Sequence, residues 1–216
     1  MSPGTWQDNT ESTMISPTNI TLMSRAILPV TPKDSKKPGV EQIVYYQAGV
    51  GTSYGTLERV RAGAVGEGLM EHVREVYGFI AHNYAEGDEI YLFGFSRGAY
   101  TARSVSGLIS LFGLLTKRGM DGIAYVLDAY RRNELINKAI IDQLGGKYER
   151  GFVNVPIKVV GVFDTVGSLG IPDIYVGGWK VPGVDEILSL VDKNYQFADT
   201  NLHPNVEHAF QAYSPS

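Results

Sequence analysis

Cysteine is absent from the 216 residues, which excludes disulfides, thiol nucleophiles and cysteine-held zinc. Basic charge is thin as well: 19 Lys and Arg against 23 Asp and Glu leave a net charge of −4. No basic run is longer than a pair such as Lys36-Lys37 or Arg131-Arg132. A nucleic-acid binder needs a clustered basic face, so that class is set aside. No apolar stretch approaches the roughly 18 residues of a membrane span. The longest, residues 105–115, is broken by Ser106, Gly107, Ser110 and Gly113. The first thirty residues lack a basic start followed by an apolar run, so no signal peptide is expected and the chain is read as cytoplasmic.

What is present fits a folded domain. Apolar residues make up 44% of the chain and aromatics 11%, too much for a disordered segment. Glycine stands out at 25 residues, about 12% against a usual 7%. That density points to many tight junctions between loops and regular elements. One domain over residues 1–216 is the expectation at this length.

Regular elements follow from the apolar spacing. Residues 1–40 are turn-rich, with a short helix expected at 19–26. Gln42 to Tyr46 is β-branched and aromatic and reads as a strand. A glycine-rich loop follows at 48–55. Val65, Leu69, Val73, Val76 and Ile80 then fall on one face of a helix. Ile90 to Phe93 is a continuous apolar run, as expected of a parallel strand buried on both faces. Residues 98–112 read as a helix. A single helix over 122–144 is expected next, capped by Asp121. A strand at 157–163 and a short helix near 184–191 complete the reading. Strands alternating with helices give an α/β fold with a mostly parallel sheet, flanking helices and three layers.

The chemistry centres on Gly94-Phe95-Ser96-Arg97-Gly98, a G-x-S-x-G pattern. The pattern alone is common in a chain rich in Gly and Ser, and Gly51-Thr52-Ser53-Tyr54-Gly55 matches it too. Context separates the two. A nucleophile elbow needs a strand running into the serine and a helix starting straight after it. Residues 90–95 and 98–102 supply both for Ser96, whereas Ser53 has neither. A serine hydroxyl also needs a histidine to take its proton and a carboxylate to hold that histidine. Asp164, directly after the strand at 157–163, is the acid candidate; its alternative role is to cap a turn with Thr165. Asp173 and Asp185 lack a preceding strand. Of the four histidines, His72 and His82 precede Ser96 and read as surface or helix-end residues. His203 and His208 follow it, and spacing leaves the choice between them open. His208 would lead into a helix, whereas His203 precedes a proline in a loop.

The ten residues from Gly94 to Arg103 resemble the nucleophile block of the α/β-hydrolase domain shared with type VI secretion phospholipase effectors. Further blocks agree in order: Gly4-Thr5-Trp6, residues 45–52, residues 162–170, and Pro204 to Ala209. The resemblance implies a Ser96–Asp164–His208 triad and favours His208 over His203. It implies the Arg97 backbone N–H as one oxyanion donor, with Gly4 and Thr5 supplying the second. Arg97 and Arg103 are read as partners for internal carboxylates, ahead of phosphate recognition. Tyr175, Trp179, Tyr195 and Phe197 would line an acyl pocket or pack over the sheet edge. The implied substrate is a carboxylic ester of the lipid or phospholipid kind, and no cofactor or metal is expected. The family's usual strand before Gly4 has no counterpart here, and the segment after Ala209 departs from it, so the domain is expected to be clipped at both ends.

Two other classes were weighed. Gly49-x-Gly51 after a strand invokes a phosphate loop. No helix opens at a third glycine and no Gly-Lys-Ser/Thr is present, so nucleotide binding is disfavoured. A non-catalytic remnant that keeps the fold as a binding module is the stronger rival.

Overall fold

The computed structural model describes residues 17–32, 39–47, 64–163, 175–176, 179–180 and 202–212. Helix α1 (Asn19–Ala26) is capped by the Thr18 side chain, which accepts from the Thr21 amide at 3.2 Å. Helix α2 spans Ala64–Asn83 and leads by a short turn into strand β1 (Ile90–Phe95). Ser96 alone separates β1 from helix α3 (Arg97–Phe112). A short strand β2 (Leu114–Leu115) follows, then a 3-10 turn, helix α4 (Ile123–Arg131) and helix α5 (Lys138–Lys147). Strands β3 (Arg150–Phe152), β4 (Ile157–Phe163), β5 (Tyr175–Val176), β6 (Trp179–Lys180) and β7 (Val206–Ala212) complete the order.

The main sheet has the order β1-β4-β7, and both pairings are parallel. Helices between parallel strands make this an α/β fold, in agreement with the apolar patterning. Alternation along β1 decides its buried face: Ile90, Leu92 and Gly94 are buried while Tyr91 is exposed. Leu92 pairs with Val160 and Gly94 with Val162, so the buried residues of both strands stand in one row. Helix α3 covers that row with Val105, Leu108, Ile109 and Phe112, each essentially without solvent contact. Burial of each such side chain is worth about 1.5–3 kcal/mol. Val73 and Tyr77 of α2 and Val126 of α4 extend the same core. The Tyr77 hydroxyl donates to the Gly113 carbonyl at 2.8 Å and accepts from the Leu115 amide at 3.0 Å. It thereby fixes the end of α3 to the start of β2.

Three local expectations are corrected. Residues 42–46 form no strand, because among the described residues no neighbouring strand accepts their ladder. Instead Tyr45 stacks on Phe79, and the Tyr46 hydroxyl meets Thr21 Oγ1 at 3.0 Å. The single helix expected over 122–144 is broken. Asn133 adopts a left-handed conformation (φ 56°), and Asn137 caps a new helix by accepting from the Ala139 amide. Asp121 lies inside the preceding 3-10 turn and caps nothing; Gly122 is the N-cap of α4. Finally, residues 206–212 are a strand, where His208 was expected to enter a helix. The helix expected near 184–191 lies outside the described residues.

Candidate active site

The turn between β1 and α3 carries the strained residue of the site. Ser96 has φ 54° and ψ −119°. Those angles belong to the first central position of a type II′ turn, where glycine is the ordinary occupant. Among the described residues the other non-glycine residues with positive φ are Asn133, Glu149 and Asn154, two of them the residue type that tolerates it best. A serine held there has its conformation imposed by its surroundings. The surroundings explain the flanking glycines. A Cβ on Gly94 would collide with the Gly98 carbonyl oxygen, so strand and helix can approach this closely only without a side chain at 94.

The Ser96 amide donates to the Phe163 carbonyl at 2.9 Å, which ties the turn to the last residue of β4. Its own carbonyl accepts from the amides of Ala99 and Tyr100. The Ser96 side chain makes no capping bond to the helix, which leaves its hydroxyl for other work. As the first donors of an α-helix, the N–H groups of Arg97 and Gly98 have no carbonyl within α3 to serve. They carry the positive end of its dipole. Burial pushes the Arg97 guanidinium down to about 10.

The remaining expected site residues fall in different places. Asp164 follows Phe163 in sequence and lies outside the described residues, as do Gly4, Thr5, Ser53, Asp173, Asp185, Tyr195 and Phe197. Tyr175 and Trp179 lie in β5 and β6, which pair with each other. His208 is described, and the structure does not bring it to Ser96. It pairs with Val159, four residues before the Phe163 that meets the Ser96 amide. The separation is therefore about 13 Å along the strands and about 10 Å across two interstrand gaps. A general base must come within about 3 Å of the proton it takes. The register is held just before His208. Val206 is buried, and Glu207 bridges to Lys158 at 2.7 Å. His203 precedes β7 and is further from the serine end of the sheet.

One residue that chain order sets aside as a surface or helix-end histidine is not fully exposed. His72 on α2 is half-buried, and its Nδ1 is buried without a hydrogen-bond partner. Burial holds its pKa below the usual value, with Arg97 acting in the same direction and Glu75 and Glu71 against. The signal was in the sequence: His72 stands three residues after Leu69 and four before Val76, on the flank of the apolar face. Among the described residues no three metal-ligating side chains cluster, and no helix is long and apolar enough to cross a membrane.

A parallel α/β sheet with a strained serine at a strand–helix junction narrows the class, and comparison with known proteins settles the family. The model of the catalytic domain of Tle1-like phospholipase effectors of type VI secretion matches residues 1–214. The chain belongs to that family. It is also 30% identical over 152 residues to Uncharacterized protein YEL023C of Saccharomyces cerevisiae. That match covers 61% of this chain and 22% of the yeast protein, so the chain spans about a fifth of its relative's length. No solved structure matches.

Proposed function

We propose that the chain is a serine hydrolase of carboxylic esters, of the lipase or phospholipase type, on a three-layer α/β-hydrolase fold. Ser96 is the nucleophile: its hydroxyl oxygen attacks the ester carbonyl carbon as its proton passes to an imidazole base, and the alcohol then leaves with a proton returned by that base. The Arg97 backbone N–H, at the positive end of α3, faces the negative charge that develops on the ester's carbonyl oxygen. Gly4 and Thr5 supply the second donor. Asp164 is the acid, and its place in the chain directly after Phe163 supports that role. The observation that carries the reading is the Ser96 backbone (φ 54°, ψ −119°) between a parallel strand and a 16-residue helix. Positive-φ strain at a serine between a strand and a helix is the backbone a nucleophile elbow requires, and the Ser96 side chain caps nothing.

The placement of His208 favours a second reading, a fold retained without catalysis. The triad needs an imidazole at Ser96, and the register of β7 pairs His208 with Val159, four residues before Phe163. Turnover of a p-nitrophenyl ester panel by the purified chain and by Ser96→Ala separates the two. The hydrolase reading expects turnover that the substitution removes, by a factor of about 10³ or more. Equal rates for the two proteins would leave only the non-catalytic fold.

A further inference from the structure

Helix α3 covers one face of the main sheet, the face that carries Leu92, Gly94, Val160 and Val162. The pairing register sets what stands on the other. In the row nearest Ser96, Phe95 pairs with Phe163 and Phe163 with Ala212. In the next row, Phe93 pairs with Gly161 and Gly161 with Phe210. A Cβ on Gly161 would meet the Phe93 ring, so that ring lies across the middle strand. Side chains alternate along a strand, so both rows share the face away from α3. Neither row contains a polar side chain.

This face is only partly covered. Phe93, Phe95 and Phe163 are half-buried, and Phe210 is 63% exposed. Parallel sheets ordinarily have both faces covered, and an exposed apolar patch marks a surface that binds something. Its position points to the occupant. The patch begins at the serine: Phe95 precedes Ser96, and the Phe163 carbonyl accepts the Ser96 amide at 2.9 Å. It ends at the third row, where Tyr91 and His208 flank Val159. There the Tyr91 hydroxyl donates to Glu89 at 2.7 Å, and Lys158 stands 3.5 Å from the same carboxylate. From Phe95 to Tyr91 the track is about 13 Å long, the length of an extended chain of about ten carbons.

We propose that this aromatic face is the acyl-binding surface of the Ser96 site and selects esters of medium-length saturated chains. The inference rests on the hydrolase reading and adds to it the acyl part of the substrate. With the ester carbonyl at Ser96, the chain runs past Phe95 and Phe163 and then over Phe93 and Phe210. A polar headgroup laid on the same track loses its hydration and finds no partner in the first two rows. Each methylene up to about ten carbons gains about twofold in kcat/KM, roughly half the effect of full burial, because one side of the chain stays in water. Longer chains reach the Tyr91–Glu89–Lys158 end and gain nothing further.

Two measurements on the full chain test this. The first follows kcat/KM for p-nitrophenyl esters of four to sixteen carbons. The wild type is expected to rise about 60-fold from four to ten carbons and then level off. Phe210→Asp, a change at an exposed position, is expected to keep the four-carbon rate within about twofold and remove most of the rise. A flat series in an active wild type, or an unchanged rise in Phe210→Asp, overturns the inference. The second needs no turnover: decanoate, below its micelle concentration, and butanoate are added to Ser96→Ala with labelled phenylalanine rings, and NMR follows Phe93 and Phe210. Decanoate is expected to shift both rings and butanoate neither. Rings that decanoate leaves unmoved overturn the inference, as does a dimer that covers Phe210 and that Phe210→Asp splits into monomers. Absence of turnover on every ester overturns the hydrolase reading, and decanoate binding still decides what the face holds.

Discussion

The Ser96 amide donates to the Phe163 carbonyl at 2.9 Å, and this one bond joins the turn after β1 to the last residue of β4. Asp164 is the next residue in the chain. The nucleophile and acid proposed for the site thus come from the ends of neighbouring parallel strands. Side chains there meet without long connections, which is why ligands of open α/β sheets gather at the carboxyl ends of the strands.

Ser96→Gly should make the protein more stable while abolishing ester turnover. Glycine adopts the observed angles without penalty, and strain of this kind costs on the order of 1–3 kcal/mol. Glycine's extra freedom in the unfolded chain returns part of that gain. A net rise of about 1 kcal/mol, or about 2–4 °C in Tm, is expected for a chain of this size. Calorimetry that finds Ser96→Gly less stable would show that the serine is not strained.

His208→Ala should leave fluorophosphonate labelling and ester turnover within about twofold of the wild type, because β7 holds the ring far from Ser96. Its exposed position predicts a small effect on stability, within about 0.5 kcal/mol. Loss of turnover in His208→Ala with an unchanged melt would mean that β7 shifts by several residues in the active protein. The resemblance-based triad would then be restored.

The elements that were legible in the sequence are those whose pattern agrees with their packing. Residues 157–163 are rich in β-branched side chains and lie between two other strands, so composition and structure coincide. The turn at Ser96 was legible because strand, glycine, serine and glycine are all local requirements. Strand β7 was not. Beyond the buried Val206 its residues are exposed on both faces, so no period of two was selected to show in Glu207 to Ala212. Residues 42–46 carry strand-forming side chains yet belong to no strand ladder among the described residues, and a ladder cannot be read from one strand. Chain order hides His72, which precedes Ser96, whereas its place on the flank of the α2 apolar face half-buries it.

Acid should destabilise the wild type more than His72→Asn. Burial, aided by Arg97, makes His72 bind a proton less readily folded than at its ordinary value of 6.5. Above about pH 6.5 both states leave the ring neutral, and it does not bias folding. As pH falls below that, the unfolded chain takes the proton first, so stability declines until the folded pKa is passed. Tm measured from pH 7.5 to 5 should therefore fall more steeply in the wild type. Parallel curves for the two proteins would show that His72 titrates as an exposed histidine does.

The central claim is that Ser96 is an activated nucleophile, and a fluorophosphonate probe tests it most directly. Intact-mass and peptide mass spectrometry of the labelled chain should find one adduct, on Ser96, and none in Ser96→Ala. An adduct on Ser53, or a folded wild-type chain that stays unlabelled while a known serine hydrolase in the same tube reacts, would contradict it.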